Sequence, residues 1–282
     1  MTVLLLKRAG AINPSRPLFA LILVALAAMS AAAAQGAQPQ GHLVVVGGGG
    51  VPDVILQRAI SLAGGPAAPI VVLPQASELA DTGDVAVAMW TKAGATNVRW
   101  LTLTDLAADR RAIEGAALIW FPGGDQNKLT RALEGTPLPE AIRVRYAAGA
   151  VVGGTSAGAA VMSAVMLTGD ADLQSITAGA TKTAQGFALW PEVIVDQHFL
   201  KRQRHSRLIS VVLDHPQLVG VAIDERTAAM VSGSRFEVLG ESTVVVVDAR
   251  RATVESRQPG QLGAARNVTL HVLTNGMGID LK

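Results

Sequence analysis

Apolar residues in the first half of the chain fall into short unbroken runs: His42–Val46, Ile70–Leu73, Val98–Leu103, Ala117–Phe121 and Ala150–Gly153. The runs are rich in Val, Ile and Leu and do not alternate with polar positions, so each predicts a strand buried on both faces. Between them, Val54–Ala63, Asp84–Ala93, Leu106–Glu114, Lys128–Glu134 and Leu138–Ala148 predict helices. Strands alternating with helices give an α/β fold, a mostly parallel central sheet with helices on both faces. The pattern changes after residue 190. Val193–Val195, Gly220–Ile223, Ala229–Val231, Phe236–Leu239, Thr243–Asp248 and Val268–Val272 are short and separated by close turns. They predict C-terminal antiparallel additions to the sheet. No repeat or interdomain linker follows residue 41, so residues 35–282 are expected to form a single domain.

Ligand sites in parallel sheets lie beyond the carboxyl ends of the strands. Three glycine-rich turns fall there: Gly47–Gly50, Gly123-Gly124 and Gly153-Gly154. The last leads into Thr155-Ser156-Ala157-Gly158, which fits the spacing of a nucleophile elbow, with glycine two residues before and two after the serine. A helix expected over Ala157–Met166 would bring unpaired N–H groups and a positive dipole end to the Ser156 oxygen. The N–H groups of Ala157 and Gly124 are the expected oxyanion donors. A serine capping a structural or phosphate-binding turn fits the same residues.

A serine nucleophile needs a base. Of the five histidines, His42 opens the first strand at the end away from the turn, His215 precedes Pro216, and His271 lies in a late strand. His198 follows the run Ile194–Gln197 and is the favoured base, with His205 as its competitor. A carboxylate should orient the imidazole. Asp224 and Glu225 both stand at the end of a strand, and the sequence does not choose between them. Beside His198, Lys201-Arg202-Gln203-Arg204-His205-Ser206-Arg207 is either a solvated helix face or a carboxylate-binding set.

Composition narrows the setting. Lys7, Arg8 and Arg16, the apolar stretch Leu18–Met29 and Ala31–Ala34 together form a secretory leader over residues 1–34, which predicts a secreted or periplasmic protein with no membrane span after its removal. Those three basic residues stand among no acids, so losing them takes the net charge from +2 to −1. The high isoelectric point is therefore no argument for nucleic acid as a partner. Absence of cysteine excludes disulfides, thiolate metal sites and a cysteine nucleophile.

Four segments together resemble the cyanophycinase family of serine peptidases, relatives of peptidase E: Phe121–Gln126, Gly153–Ala159, Asp196–Phe199 with Arg202, Arg204 and Arg207, and Ile223–Glu225 with Thr227-Ala228. The resemblance implies a flavodoxin-like sheet of the class I glutamine amidotransferase kind, with Ser156 as nucleophile, His198 as base and Glu225 as the orienting acid. It also implies a pocket lined by Asp196, Gln197, Arg202, Arg204 and Arg207, with Gln126 nearby, no metal or organic cofactor, and a homodimer. The implied substrate is cyanophycin, a poly-aspartate carrying arginine in isopeptide linkage, cut to β-aspartyl-arginine. A β-aspartyl dipeptidase, an α/β-hydrolase esterase and a non-catalytic binding protein are the competing readings. The stretch Gly186–Trp190 departs from the family's pattern before the histidine.

Overall fold

The computed structural model describes residues 39–169 and 171–282; the expected leader lies outside them. Five strands form the parallel half of an eight-stranded sheet: β1 (His42–Val46), β2 (Ile70–Val72), β3 (Val98–Trp100), β4 (Leu118–Phe121) and β5 (Val151–Thr155). They lie in the order β1-β5-β4-β2-β3, and every neighbouring pair is parallel. On the other side of β1 the sheet continues antiparallel through β10 (Thr227–Ser232), β11 (Arg235–Gly240) and β16 (Gly278–Asp280). The remaining long strands do not extend this sheet. β8 (Val193–Gln197), β9 (Val219–Ile223), β12 (Thr243–Asp248) and β15 (Thr269–Thr274) form a second sheet of their own, in the order β15-β12-β9-β8. Two small hairpins complete the strands, β6 (Val165–Leu167) with β7 (Thr183–Gln185) and β13 (Thr253–Val254) with β14 (Ala265–Arg266).

Alternation along each strand divides the apolar side chains between two cores. On β1, Val44 and Val46 face α1 (Asp53–Leu62) and α2 (Thr82–Lys92), where Ile55, Leu56, Ala59 and Trp90 are buried. Trp90 meets Trp120 of β4 edge-on, ring centres 5.2 Å apart. Leu43 and Val45 face the opposite core, shared by α3 (Leu106–Glu114), α5 (Leu138–Ala147) and one face of the second sheet through Val195, Val221, Ile223 and Val246. The short helix between α3 and α5, α4 (Gln126–Leu133), begins where β4 ends and is capped by the Asp125 carboxylate, which accepts from the N–H of Asn127 at 2.8 Å. One face of the main sheet is thus covered by helices and a sheet together, where helices alone were expected. The unbroken apolar runs require only that both faces be covered, and a second sheet meets that requirement as well as a helix does.

The helix expected over Ala157–Met166 ends early. α6 spans Ala157–Ala160, and the chain re-emerges at Val165 as β6. Ala and Met suit a helix, but Phe187 N–H and Trp190 N–H bond the carbonyls of Val161 and Met162 at 2.7 and 2.8 Å, drawing them into another strand-like contact.

The last helix, α7 (His205–Asp214), packs on the outer face of the second sheet through Leu208, Val211 and Val212. It is also tied there by charge. Arg207 on α7 binds both oxygens of Asp196 on β8, through Nε at 2.9 Å and through Nη2. The two residues are buried, 1% and 0% exposed. A buried pair of this kind gains little against an apolar replacement of both partners, but removing one leaves the other charged and unsolvated. Asp196→Ala is expected to lose about 3–5 kcal/mol of stability in urea unfolding. The double variant Asp196→Ala, Arg207→Met is expected to lose less than the two single variants summed.

Candidate active site

Strand register brings four distant segments to one point. Val46, the last residue of β1, pairs with Thr155 on one side and Ala228 on the other. The residues just past these positions are Gly47, Ser156 and, immediately before β10, Asp224–Arg226. In the second sheet Gln197 pairs in parallel with Ile223, which sets His198 beside Asp224 and Glu225. Backbone bonds close the junction: Ser156 N–H to Val46 O at 3.0 Å, Gly47 N–H to Thr227 O at 3.0 Å, and His198 N–H to Gly47 O at 2.7 Å.

Three side chains form an unbroken relay there. His198 Nε2 lies 2.9 Å from Ser156 Oγ, and His198 Nδ1 lies 2.7 Å from Glu225 Oε1. A carboxylate only accepts, so Nδ1 carries the proton and Nε2 presents its lone pair to the serine hydroxyl. His198 is 7% exposed. Burial holds its pKa below the ordinary imidazole value. The hydrogen bond that His198 donates to Glu225 opposes that shift, and the positive charges of Arg202 and Arg204 add to it. Burial thus favours the neutral imidazole, the form that can accept a proton.

Ser156 occupies a left-handed backbone conformation, φ 54° and ψ −112°, between β5 and α6. Such a turn costs energy, and neighbouring backbone crowds it into place. A β-carbon on Gly158 would collide with the Phe121 carbonyl, and one on Gly154 with the Gly158 carbonyl. At the end of β4, the Gly123-Gly124 turn runs alongside: a β-carbon on Gly123 would sit 3.5 Å from Ser156 Cβ. Ala157, the first residue of α6, is fully buried beneath the serine.

Both acids of the 224–226 turn are used, in different ways. Glu225 meets the imidazole. Asp224 turns away: its Oδ1 accepts from the N–H groups of Leu200 and Lys201, each at 3.1 Å, and its Oδ2 from the Ser242 hydroxyl at 2.8 Å. Strand alternation could not have settled the choice, because both residues lie past the end of β9.

The other expected pocket residues are close by but differ in what they expose. Arg202 is exposed. Arg204 is buried, and its Nη1 donates to Gln197 O and Gln197 Oε1, each at 2.6 Å. Burial and the neighbouring Arg207 charge push its pKa down to about 10, against the pull of Asp196. Asp196 and Arg207 spend their charges on each other. Gln126 Nε2 donates to Leu167 O at 2.8 Å, and Asn127 Nδ2 to Thr168 O at 3.2 Å, so the start of α4 anchors the chain after β6. The competing His205 opens α7 with its ring against Phe199, centres 4.8 Å apart, and the ring hydrogen-bonded to Ser156 is that of His198. One participant lay outside the predicted site. In the turn after β1, Gly48 lies against His198 and Gly49 against Glu225. Its glycine run at a strand end was the available signal.

Residues 43–239 match the model of peptidase family S51. Among curated proteins, a cyanophycinase from Geminocystis herdmanii (strain PCC 6308) is 37% identical over 235 residues, covering 79% of this chain and 86% of that one. A cyanophycinase from Trichormus variabilis (strain ATCC 29413 / PCC 7937) is 36% identical over 235 residues, covering 79% and 78%. A crystal structure of a peptidase from an acI-B1 actinobacterium superposes with a TM-score of 0.64 at 23% identity, covering 86% of this chain and 99% of that one, which speaks for the fold. The matched span runs from β1 through β11 and so holds all three members of the relay. On that match and the identity to its relatives, the chain belongs to peptidase family S51.

Proposed function

We propose that this peptidase hydrolyses cyanophycin by a serine mechanism, with Ser156 as nucleophile, His198 as general base and Glu225 as the carboxylate that orients it. The supporting observation is the relay itself, with contacts of 2.9 and 2.7 Å among side chains 42 and 27 residues apart in sequence. The substrate follows from the relatives named cyanophycinase at 34–37% identity.

Ser156 Oγ attacks the scissile carbonyl carbon while His198 Nε2 takes the hydroxyl proton. The N–H groups of Ala157 and Gly124 receive the oxyanion; Ala157 opens α6, and the first amides of a helix have no partner within it. His198 then gives its proton to the leaving amine, the C–N bond breaks, and an acyl ester remains on Ser156. Water, deprotonated by the same imidazole, cleaves that ester and restores the hydroxyl. Each arginine unit of the polymer presents a carboxylate and a guanidinium. Exposed Arg202 suits the carboxylate. Gln126, Gln197 and Arg204 stand along the proposed pocket, and the Asp196–Arg207 pair, which is interior, braces it from behind and fixes its shape more than its charge.

The same reading takes residues 35–282 as one mature domain of the class I glutamine amidotransferase type, its C-terminal strands added antiparallel, exported by the leader and working as a homodimer. Export agrees with a polymer too large to enter a cell. The order of the triad favours this reading over an α/β-hydrolase esterase, in which the acid normally precedes the histidine.

Incubating residues 35–282 with insoluble cyanophycin is expected to release β-aspartyl-arginine, seen by mass spectrometry; turnover confined to soluble β-aspartyl dipeptides would identify a dipeptidase instead. Ser156→Ala is expected to lower kcat by about four orders of magnitude or more and to abolish fluorophosphonate labelling. Because the base is active when neutral and its pKa is depressed, kcat/KM should hold down to a pH below the ordinary imidazole value before falling. Glu225→Gln removes the group that raises that pKa, so kcat should drop and the acid limb should move to still lower pH.

A further inference from the structure

The Gly47–Gly50 turn follows the central strand of the main sheet, yet the triad chemistry assigns it no part. Its backbone engages the base and the acid separately. Gly47 O accepts the N–H of His198 at 2.7 Å, and Gly48 O accepts the N–H of Arg226, the residue after Glu225, also at 2.7 Å. These two bonds fasten residues that are themselves in the left-handed region, His198 at φ 51° and Arg226 at φ 59°. One ribbon of three peptides thus pins two catalytic loops that come from different strands.

Contact with the side chains is closer still. A β-carbon on Gly48 would fall among Cε1, Nε2 and Nδ1 of His198. On Gly49 it would lie 2.6 Å from Glu225 Cβ and 2.7 Å from Glu225 Oε2. The imidazole and the carboxylate therefore rest on bare backbone. Any side chain beneath them would lift the ring away from Ser156, whose Oγ is 2.9 Å from Nε2. The turn also requires positive φ at Gly48, Gly49 and Gly50, at 101°, 69° and 90°. That requirement by itself would explain all three glycines alike. Gly50 separates the two causes: it is exposed, and a β-carbon there would meet nothing nearer than Arg226 Nη1 at 3.6 Å.

We propose that the Gly47–Gly49 turn is the seat that sets the base and acid of the relay in register, with Gly48 a positioning residue for His198 and Gly49 for Glu225. This rests on the triad reading above.

Gly48→Ala, Gly49→Ala and Gly50→Ala are compared for Tm, kcat and KM on cyanophycin, beside Ser156→Ala and His198→Ala. The Gly48 variant is expected to lose about 10²-fold in kcat with little change in KM, the penalty of misplacing a catalytic group by an ångström or so. Gly49→Ala should also lower kcat. Gly50→Ala should lower Tm through backbone strain while leaving kcat near the wild-type value. Wild-type kcat in Gly48→Ala, or an equal kcat loss in Gly50→Ala, overturns the proposal. Retained activity in Ser156→Ala or His198→Ala would instead defeat the triad reading. Stability gives a second readout that does not depend on Gly48→Ala being active or well folded. In the His198→Ala background the ring is gone, so the Tm penalty of Gly48→Ala should shrink to that of Gly50→Ala. A penalty unchanged by removal of the ring, including failure of both forms to fold, overturns the proposal.

Discussion

Val46 is hydrogen-bonded into strands on both sides, parallel to β5 and antiparallel to β10. That double pairing is the constraint on which the site depends. A parallel neighbour contributes its carboxyl end at this edge of the sheet, and an antiparallel neighbour contributes its amino end. Ser156 leaves β5 where Arg226 enters β10, with the end of β1 between them. The chain passes from the second sheet to the main one through Asp224–Arg226, so the acid is held by backbone from both sheets.

Electrostatics then decide what the assembled groups can do. His198 is buried beneath a rim of arginines, and both effects disfavour its charged form. Glu225 supplies the counterweight through a direct hydrogen bond, which also fixes which ring nitrogen holds the proton. Two residues before His198, Asp196 is matched by Arg207 from α7. This pairing satisfies a buried negative charge and anchors α7, the helix that follows Arg204, against β8. The basic cluster read from the sequence is therefore not one uniform surface. Arg202 faces solvent, Arg204 braces Gln197, and Arg207 is interior.

Strain and close approach complete the site. Ser156, His198 and Arg226 all occupy left-handed backbone conformations, and each bonds through its N–H to backbone carbonyl groups of β1 or the turn that follows it. Conformations that cost energy singly persist where surrounding bonds over-determine them. Around the serine, Gly154 and Gly158 let the β5 turn press against β4 with no intervening side chain.

The parallel half of the fold was legible because buried strands must be apolar on both faces and helices must alternate with them, a local requirement written into Leu43–Val46 or Leu118–Phe121 directly. The serine elbow was legible through its spacing, glycine two residues before and two after the serine, although the backbone that requires the second glycine, the Phe121 carbonyl, lies on another strand. Sequence stopped where distance began. Periodicity marked β8, β9, β12 and β15 as strands but not as a separate sheet, since partner choice depends on contacts across the fold. The helix after Ser156 was overestimated because Phe187 and Trp190 claim the carbonyls of Val161 and Met162. Asp224 and Glu225 looked equivalent in a turn, where alternation has no force, and the family resemblance was needed to favour one. What tertiary structure alone decided is which atoms face each other: the register of β1 with β5 and β10, and of β8 with β9, sets Ser156, His198, Glu225 and Gly48 within a few ångströms, and register between segments so far apart in the chain is fixed by packing.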